Sequence, residues 1–274
     1  MTEFTSSGQF VPAASGPMFV LLVASRPSRG CVLVVPPFAE EMNKSRRMMA
    51  ETARSLAASG ISVVIPDLTG TGDSAGDFCD ARWSIWLEDL RLTADWCADR
   101  GMPVTHLLAI RSGAALANAV AVDGKFHAVE RTVLWQPVFD GNRFLTQFLR
   151  LRVAAAATSQ NRRETVAELR NRLRTGESLE VAGYTIAGDL AAALDSLVVP
   201  EKPPRRFGAI SWMELVRSSG SGPGQPTLEL LERWRAGGAD IELDALTAEP
   251  FWSSSEILLH PSLVEATVAA LRQR

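Results

Sequence analysis

Residues 104–117, Val-Thr-His-Leu-Leu-Ala-Ile-Arg-Ser-Gly-Ala-Ala-Leu-Ala, constrain this chain more than any other stretch. An apolar, strand-like run ends at Ala109, and a helix of small residues begins by Gly113. Between them lies a tight corner, Ile110-Arg111-Ser112. A strand, a sharp corner and a helix opening on small residues form the mould in which Gly-x-Ser-x-Gly lifts a serine out of a parallel sheet. Laid on that mould, Ala109 and Gly113 fill the two small positions, and Arg111 stands in the serine's place.

The rest of the chain supplies the sheet that such a corner needs. Apolar runs at 18–24, 31–35, 61–66, 131–137, 207–211 and 240–243 read as strands. The fully apolar run at 31–35 suits a central strand buried on both faces. Helical spacing marks residues 43–59, 83–98, 227–236 and 263–271. Strands alternating with helices predict a mostly parallel sheet with helices on both faces, here of the α/β-hydrolase kind. The alternation pauses at residues 141–200, which read as a helical cap inserted between core segments 1–140 and 201–274. Eight arginines stand against two glutamates between positions 143 and 174.

Composition narrows the function classes. The net charge of −3 argues against a general nucleic-acid binder. Three cysteines, Cys31, Cys79 and Cys97, have no metal-like spacing and suit a reducing cytoplasm. No metal or cofactor is expected. Residues 1–16 lack the basic start and apolar core of a signal peptide. No apolar run approaches the ~20 residues of a membrane helix. The expected location is therefore cytoplasmic, with any membrane contact peripheral.

A hydrolase of this class places nucleophile, acid and histidine in that chain order. Arg111 cannot attack a carbonyl, because its guanidinium stays protonated. Ser112 is one residue on, turned by roughly 100° if helical; it reads either as a displaced nucleophile or as a helix-capping hydroxyl. The acid place falls near Glu214. The histidine place, residues 247–253, contains no histidine, and His260 follows later. His106 and His127 are poorly placed. Gly72-Asp-Ser-Ala-Gly76 matches the serine motif but lies within a glycine-rich loop, with no strand or helix adjoining it. The loop after the 31–35 strand holds Phe38, whose N–H could serve an oxyanion. It also carries Glu40 and Glu41, which oppose one. A cation at a helix start is unfavourable unless an anion compensates it. Arg111 therefore either binds an anionic ligand or pairs internally with Glu40 or Glu41, the internal pair being favoured.

Three stretches converge on one family. They are Val34-Val-Pro-Pro-Phe-Ala-Glu-Glu-Met-Asn-Lys-Ser-Arg-Arg47; Asp67-Leu-Thr-Gly-Thr-Gly-Asp-Ser-Ala-Gly-Asp-Phe78, with Trp83 and Trp86 beyond; and Ile110-Arg-Ser-Gly-Ala114. Together they resemble the exosortase A system-associated hydrolases of the second type, within the α/β-hydrolase superfamily. The likeness is weaker at Gly183-Tyr184 and Pro250-Phe-Trp252. It implies that arginine at the corner is usual. It also implies genes beside the exosortase, PEP-CTERM and exopolysaccharide systems of Gram-negative bacteria. It implies no particular substrate, since fold does not fix function.

Two functional expectations follow. In the first, the chain is a hydrolase or acyl transferase acting on an ester or thioester. Ser112 is then the nucleophile, Phe38 N–H the oxyanion donor, and Glu214 and His260 the partners. In the second, it is a non-hydrolytic binding protein, with Arg111, Glu40, Glu41, Asn43 and Arg46 around the cleft mouth. The ligand is then a small molecule or an acyl or glycan precursor. The basic cap suits an acidic carrier protein or an anionic membrane surface.

Overall fold

The structure, a computed structural model, describes residues 3–122, 129–158, 164–218 and 220–273. The chain begins with an antiparallel hairpin, β1 (Glu3–Ala13) and β2 (Gly16–Arg26). Then come β3 (Cys31–Val35), α1 (Glu40–Ala58), β4 (Ser62–Pro66), α2 (Trp83–Ala98), β5 (Val104–Ile110), α3 (Gly113–Val122) and β6 (Arg131–Trp135). The insertion holds α4 (Gly141–Thr158), α5 (Val166–Arg174), the hairpin strands β7 (Leu179–Val181) and β8 (Tyr184–Ile186), and α6 (Gly188–Asp195). Last come β9 (Ala209–Val216), α7 (Gln225–Ala236), β10 (Ile241–Thr247) and α8 (Pro261–Arg272).

Eight strands form one sheet in the order β1-β2-β4-β3-β5-β6-β9-β10. From β4 to β10 every pairing is parallel. β3 and β4 are buried at every residue, as strands covered on both faces must be. α1 and α8 pack on one face, over a core that includes Met48, Leu56, Trp135 and Phe251. α2 and α3 cover the other, over Leu33, Leu90 and Leu107.

The structure departs from the sequence reading in several places. β1 was not expected; its residues are mostly exposed, so no alternation of apolar and polar residues announces it. α1 starts at Glu40, ahead of the expected 43, without a side-chain cap. It follows Ala39 at φ +50°, a sharp corner, and opens with Glu40 and Glu41, whose charges suit the positive end of a helix. Cys97 is buried beside Cys31, and that contact with burial pushes the Cys31 thiol up.

The insertion between β6 and β9 is not purely helical, because β7 and β8 add a short hairpin. Its arginines build it from within. Glu164 takes Arg152 at 2.7 Å and also Arg172; Arg172 reaches Glu177, and Asp195 takes Arg170. Arg162 and Arg163 lie outside the described residues. Among the described residues, Arg143 and Arg150 are exposed and make no side-chain ion pair. The insertion is anchored to the core through Phe38, whose ring meets Phe144 and Phe148 edge-on.

Candidate functional site

The corner after β5 is held in a conformation that few side chains adopt. Arg111 has φ +53°, in the left-handed region, at a cost of about 1–3 kcal/mol that its surroundings must over-determine. They do so from β6 and the segment that follows it: Arg111 N–H donates to the Trp135 carbonyl at 2.9 Å, and Val138 N–H donates to the Arg111 carbonyl at 3.0 Å. Gly113 then lets α3 leave the corner against the end of β3. A Cβ there would lie 2.4 Å from the Val35 carbonyl oxygen and 2.7 Å from that of Pro36. Only glycine fits so close a backbone approach.

The Arg111 guanidinium makes three hydrogen bonds. Nε and Nη2 donate to the two carboxylate oxygens of Glu41 at 3.3 and 3.1 Å, a forked pair. Nη1 donates to the Gln136 carbonyl at 3.1 Å. The Trp252 ring lies 4.6 Å from the guanidinium carbon, a cation–π contact. Burial pushes the Glu41 carboxyl above the ordinary glutamate range, while Arg111 pulls it back. Gln136, itself at φ +41°, extends the network. Its amide donates to Glu214 at 2.8 Å, and its oxygen accepts the Leu215 N–H at 2.7 Å. Trp212 Nε1 donates to the other Glu214 oxygen at 2.8 Å. Burial raises the Glu214 pKa; the Trp212 and Gln136 hydrogen bonds and the Arg111 charge oppose that rise.

Two cavities meet at this network. One, of about 300 Å³, is walled by Phe38, Phe144, Phe148, Leu151 and Trp252, with Glu40, Glu41 and Lys44 at its polar side. The other, of about 460 Å³, is lined by residues including Gln136, Asp140, Arg143, Trp212 and Glu214. Arg111, Phe144, Gln147 and Trp252 border both.

Known proteins give this arrangement a context. A scan of the sequence against protein families and curated proteins finds no match. Solved structures do match. A protein from Agrobacterium vitis S4 named as a hydrolase is 17% identical, with a TM-score of 0.62 over 98% of both chains. An esterase of Pyrobaculum calidifontis is 15% identical, with a TM-score of 0.60 over 97% of this chain and 84% of its own. A Xanthomonas campestris protein described as a serine hydrolase without a lid is 16% identical, with a TM-score of 0.57 over 97% and 94%. The chain has the α/β-hydrolase fold.

In the α/β-hydrolase fold the nucleophile elbow is a sharp corner between a strand and a helix; in this chain Arg111 stands at the corner between β5 and α3. The histidine follows the last strand, β10, and in that loop Trp252 is the side chain that reaches the elbow residue. The sequence reading noticed that this loop lacks a histidine but not that Trp252 meets Arg111. The signal was the large aromatic in the loop after the last strand.

The residues expected to form a displaced triad are each occupied elsewhere. Ser112 is buried, and its Oγ accepts the Phe38 N–H at 3.1 Å, so hydroxyl and oxyanion donor satisfy each other. That tether also replaces the expected helix cap. The space beside Ser112 is about 20 Å³, room for a single water. Glu214 is held by Gln136 and Trp212. His260 stands at the start of α8, its Nε2 2.8 Å from the Glu249 carbonyl. No hydrogen bond joins Ser112, Glu214 and His260 among the described residues. His106 is buried within β5, toward the end away from the elbow. His127 lies outside the described residues.

Of the expected cleft residues, Glu40 and Glu41 line the smaller cavity, Glu40 paired with Lys44 at 2.9 Å. Asn43 and Arg46 turn away from it. Asn43 donates to the Tyr184 hydroxyl of the cap hairpin, and Arg46 pairs with Asp67 at 3.2 Å. Ser74, the serine of the second Gly-x-Ser-x-Gly match, donates to the Asp67 carbonyl and accepts the Phe19 N–H at 2.8 Å. It braces the glycine-rich loop. The same loop needs Gly72, since a Cβ there would sit 1.9 Å from Asp67 Oδ2.

Proposed function

We propose that this α/β-hydrolase-fold protein binds a small organic ligand in the two-chambered cleft around Arg111 and performs no serine-based acyl transfer. The observation that carries the reading is the Arg111 elbow, bonded to Glu41 and Gln136 and stacked on Trp252, between cavities of about 300 and 460 Å³. Both volumes suit a small molecule. The apolar wall of the smaller chamber suits an acyl or other apolar group, and the larger chamber, where Asp140, Arg143 and Glu214 stand among apolar residues, suits its head. The ion pairs of Arg111 and Lys44 leave the smaller chamber near neutral. The motifs at residues 34–47, 67–78 and 110–114 extend the proposal to a cytoplasmic role beside exosortase and exopolysaccharide assembly, with a glycan precursor among the ligands to test.

A serine-reactive fluorophosphonate separates this reading from the enzymatic one. No labelling is expected. Labelling of the wild type that disappears in Ser112→Ala overturns the proposal and makes Ser112 the nucleophile. For the cleft itself, 1-anilinonaphthalene-8-sulfonate fluorescence reports occupancy of an apolar chamber. Gln147 is exposed and borders both cavities. Gln147→Trp is expected to abolish saturable dye binding while leaving the melting temperature near wild type. Unchanged binding refutes the cleft as the site.

A further inference from the structure

The outer strand of the sheet suggests a partner. β1 pairs on one side only, with β2, over all 11 residues and without a register shift. Edge strands are normally kept from pairing by lysines, prolines, bulges or short length. β1 has one charged residue, Glu3, and one proline, Pro12, each near an end. Residues 3–8 are exposed throughout. Phe4 and Phe10 are 39% and 60% exposed, the latter although it stacks on Phe19. Six residues apart, they share one face of the strand. Gly8 lies between them on that face. The Phe19 ring covers it, 2.7 Å from where a Cβ would be.

We propose that a second copy of this chain pairs with β1 in antiparallel fashion about a two-fold axis through Ser7, joining the two sheets into one. An isologous interface must complement itself, and this strand does so in that register. Phe4 of each copy faces Phe10 of the other, Thr5 faces Gln9, Ser6 faces Gly8 and Glu3 faces Val11. Both aromatic pairs close, and no like charges face one another. Moving the axis to Gly8 pairs more of the strand but sets Phe4 against Pro12 and Phe10 against Ser6. The net charge of −3 per copy opposes association only weakly. Nine paired residues at about 3.4 Å each make a strip about 30 Å long. Such a strip buries on the order of 900 Å² in total, below the usual range of stable interfaces and suited to a weak, reversible dimer.

Sedimentation velocity of the full chain across a micromolar concentration series tests this, with Ser7→Lys and Ser7→Glu as the perturbations. Ser7 is exposed, so neither change disturbs the fold. The axis places each new charge against its own copy, and like charges directly opposite destabilise a strand pair. Each variant alone is expected to dimerise roughly fivefold more weakly or worse than the wild type. An equimolar mixture of the two is expected to recover dimerisation, because lysine then faces glutamate. A chain monomeric throughout the series overturns the proposal, as does a dimer indifferent to both changes. Dimers that weaken in each variant but do not recover in the mixture overturn the register.

Discussion

Arg111→Ala tests the central reading of the site. In the wild type the Arg111 and Glu41 side chains are 12% and 22% exposed, so the pair sits largely out of water. Deleting one member of a buried pair costs about 3–5 kcal/mol, mostly for the uncompensated charge left behind. The residual exposure of Glu41 puts this pair at the low end, about 3 kcal/mol at pH 8. Alanine at φ +53° stays strained, so the backbone offers no relief. The pH dependence identifies the cause. Glu41 already holds its proton more tightly in the fold than as an ordinary glutamate, because of burial. Removing Arg111 takes away the largest opposing influence and raises that pKa further. A raised folded pKa gives stability that is fully present below the unfolded value and is lost as pH rises through the folded one. Urea denaturation is therefore expected to show a penalty near 3 kcal/mol at pH 8 that shrinks toward pH 5. Arg111→Gly is expected to recover about 1 kcal/mol, the strain of a side chain at positive φ. A penalty under about 0.5 kcal/mol, within the range of ordinary surface substitutions, refutes a structural role for the pair. So does a penalty of the same size at both pH values.

Other perturbations address the elbow and the buried carboxylates. Gly113→Ala drives a Cβ against two backbone carbonyls that no side-chain rotation can relieve, so a loss of about 3 kcal/mol is expected in thermal denaturation; a change of a few tenths refutes the close packing. Asp89, raised in pKa by burial, accepts from both the N–H and the hydroxyl of Thr69. Asparagine can take the N–H and donate to the hydroxyl, so Asp89→Asn is expected to lose stability less steeply than the wild type as pH rises above the ordinary aspartate range; an unchanged slope refutes the assignment. Arg111→Ser alone is expected to remain unreactive toward fluorophosphonate because no histidine reaches the elbow, whereas adding Trp252→His is expected to introduce labelling. Reaction of the single variant refutes the pairing of those two positions.

The parallel core was legible because burial on both faces writes itself as unbroken apolar runs, as at Cys31–Val35 and Ser62–Pro66. β1 was illegible for the opposite reason: residues 3–8 are exposed on both faces, and Val11 alone in the strand is buried, which leaves no period to read. The pairing of the cap's arginines was not legible from composition: against eight arginines and two glutamates, Glu164 within that window and Glu177 and Asp195 beyond it bind Arg152, Arg170 and Arg172. Sequence distance hides such pairing; only the packing of α4, α5 and α6 brings the partners together.

The site was legible one position at a time but not as a set. Arg111 in the serine's place and the absence of histidine after the last strand each read as a loss. Together, the two positions make a contact of a different kind. A guanidinium cannot attack a carbonyl, but it can be held in place by a carboxylate, a carbonyl and an indole at once, and Glu41, Gln136 and Trp252 supply them. Each comes from a different segment: the start of α1, the end of β6 and the loop after β10. The same three regions assemble an oxyanion loop, a sheet floor and a histidine in a working hydrolase of this fold. The strained corner is retained at Arg111, and a corner costing about 1–3 kcal/mol persists only where its surroundings hold it in place. Here those surroundings fix a positive charge at the meeting of two cavities. The corner is thus ordered by its own network of hydrogen bonds, with a cavity on either side of it.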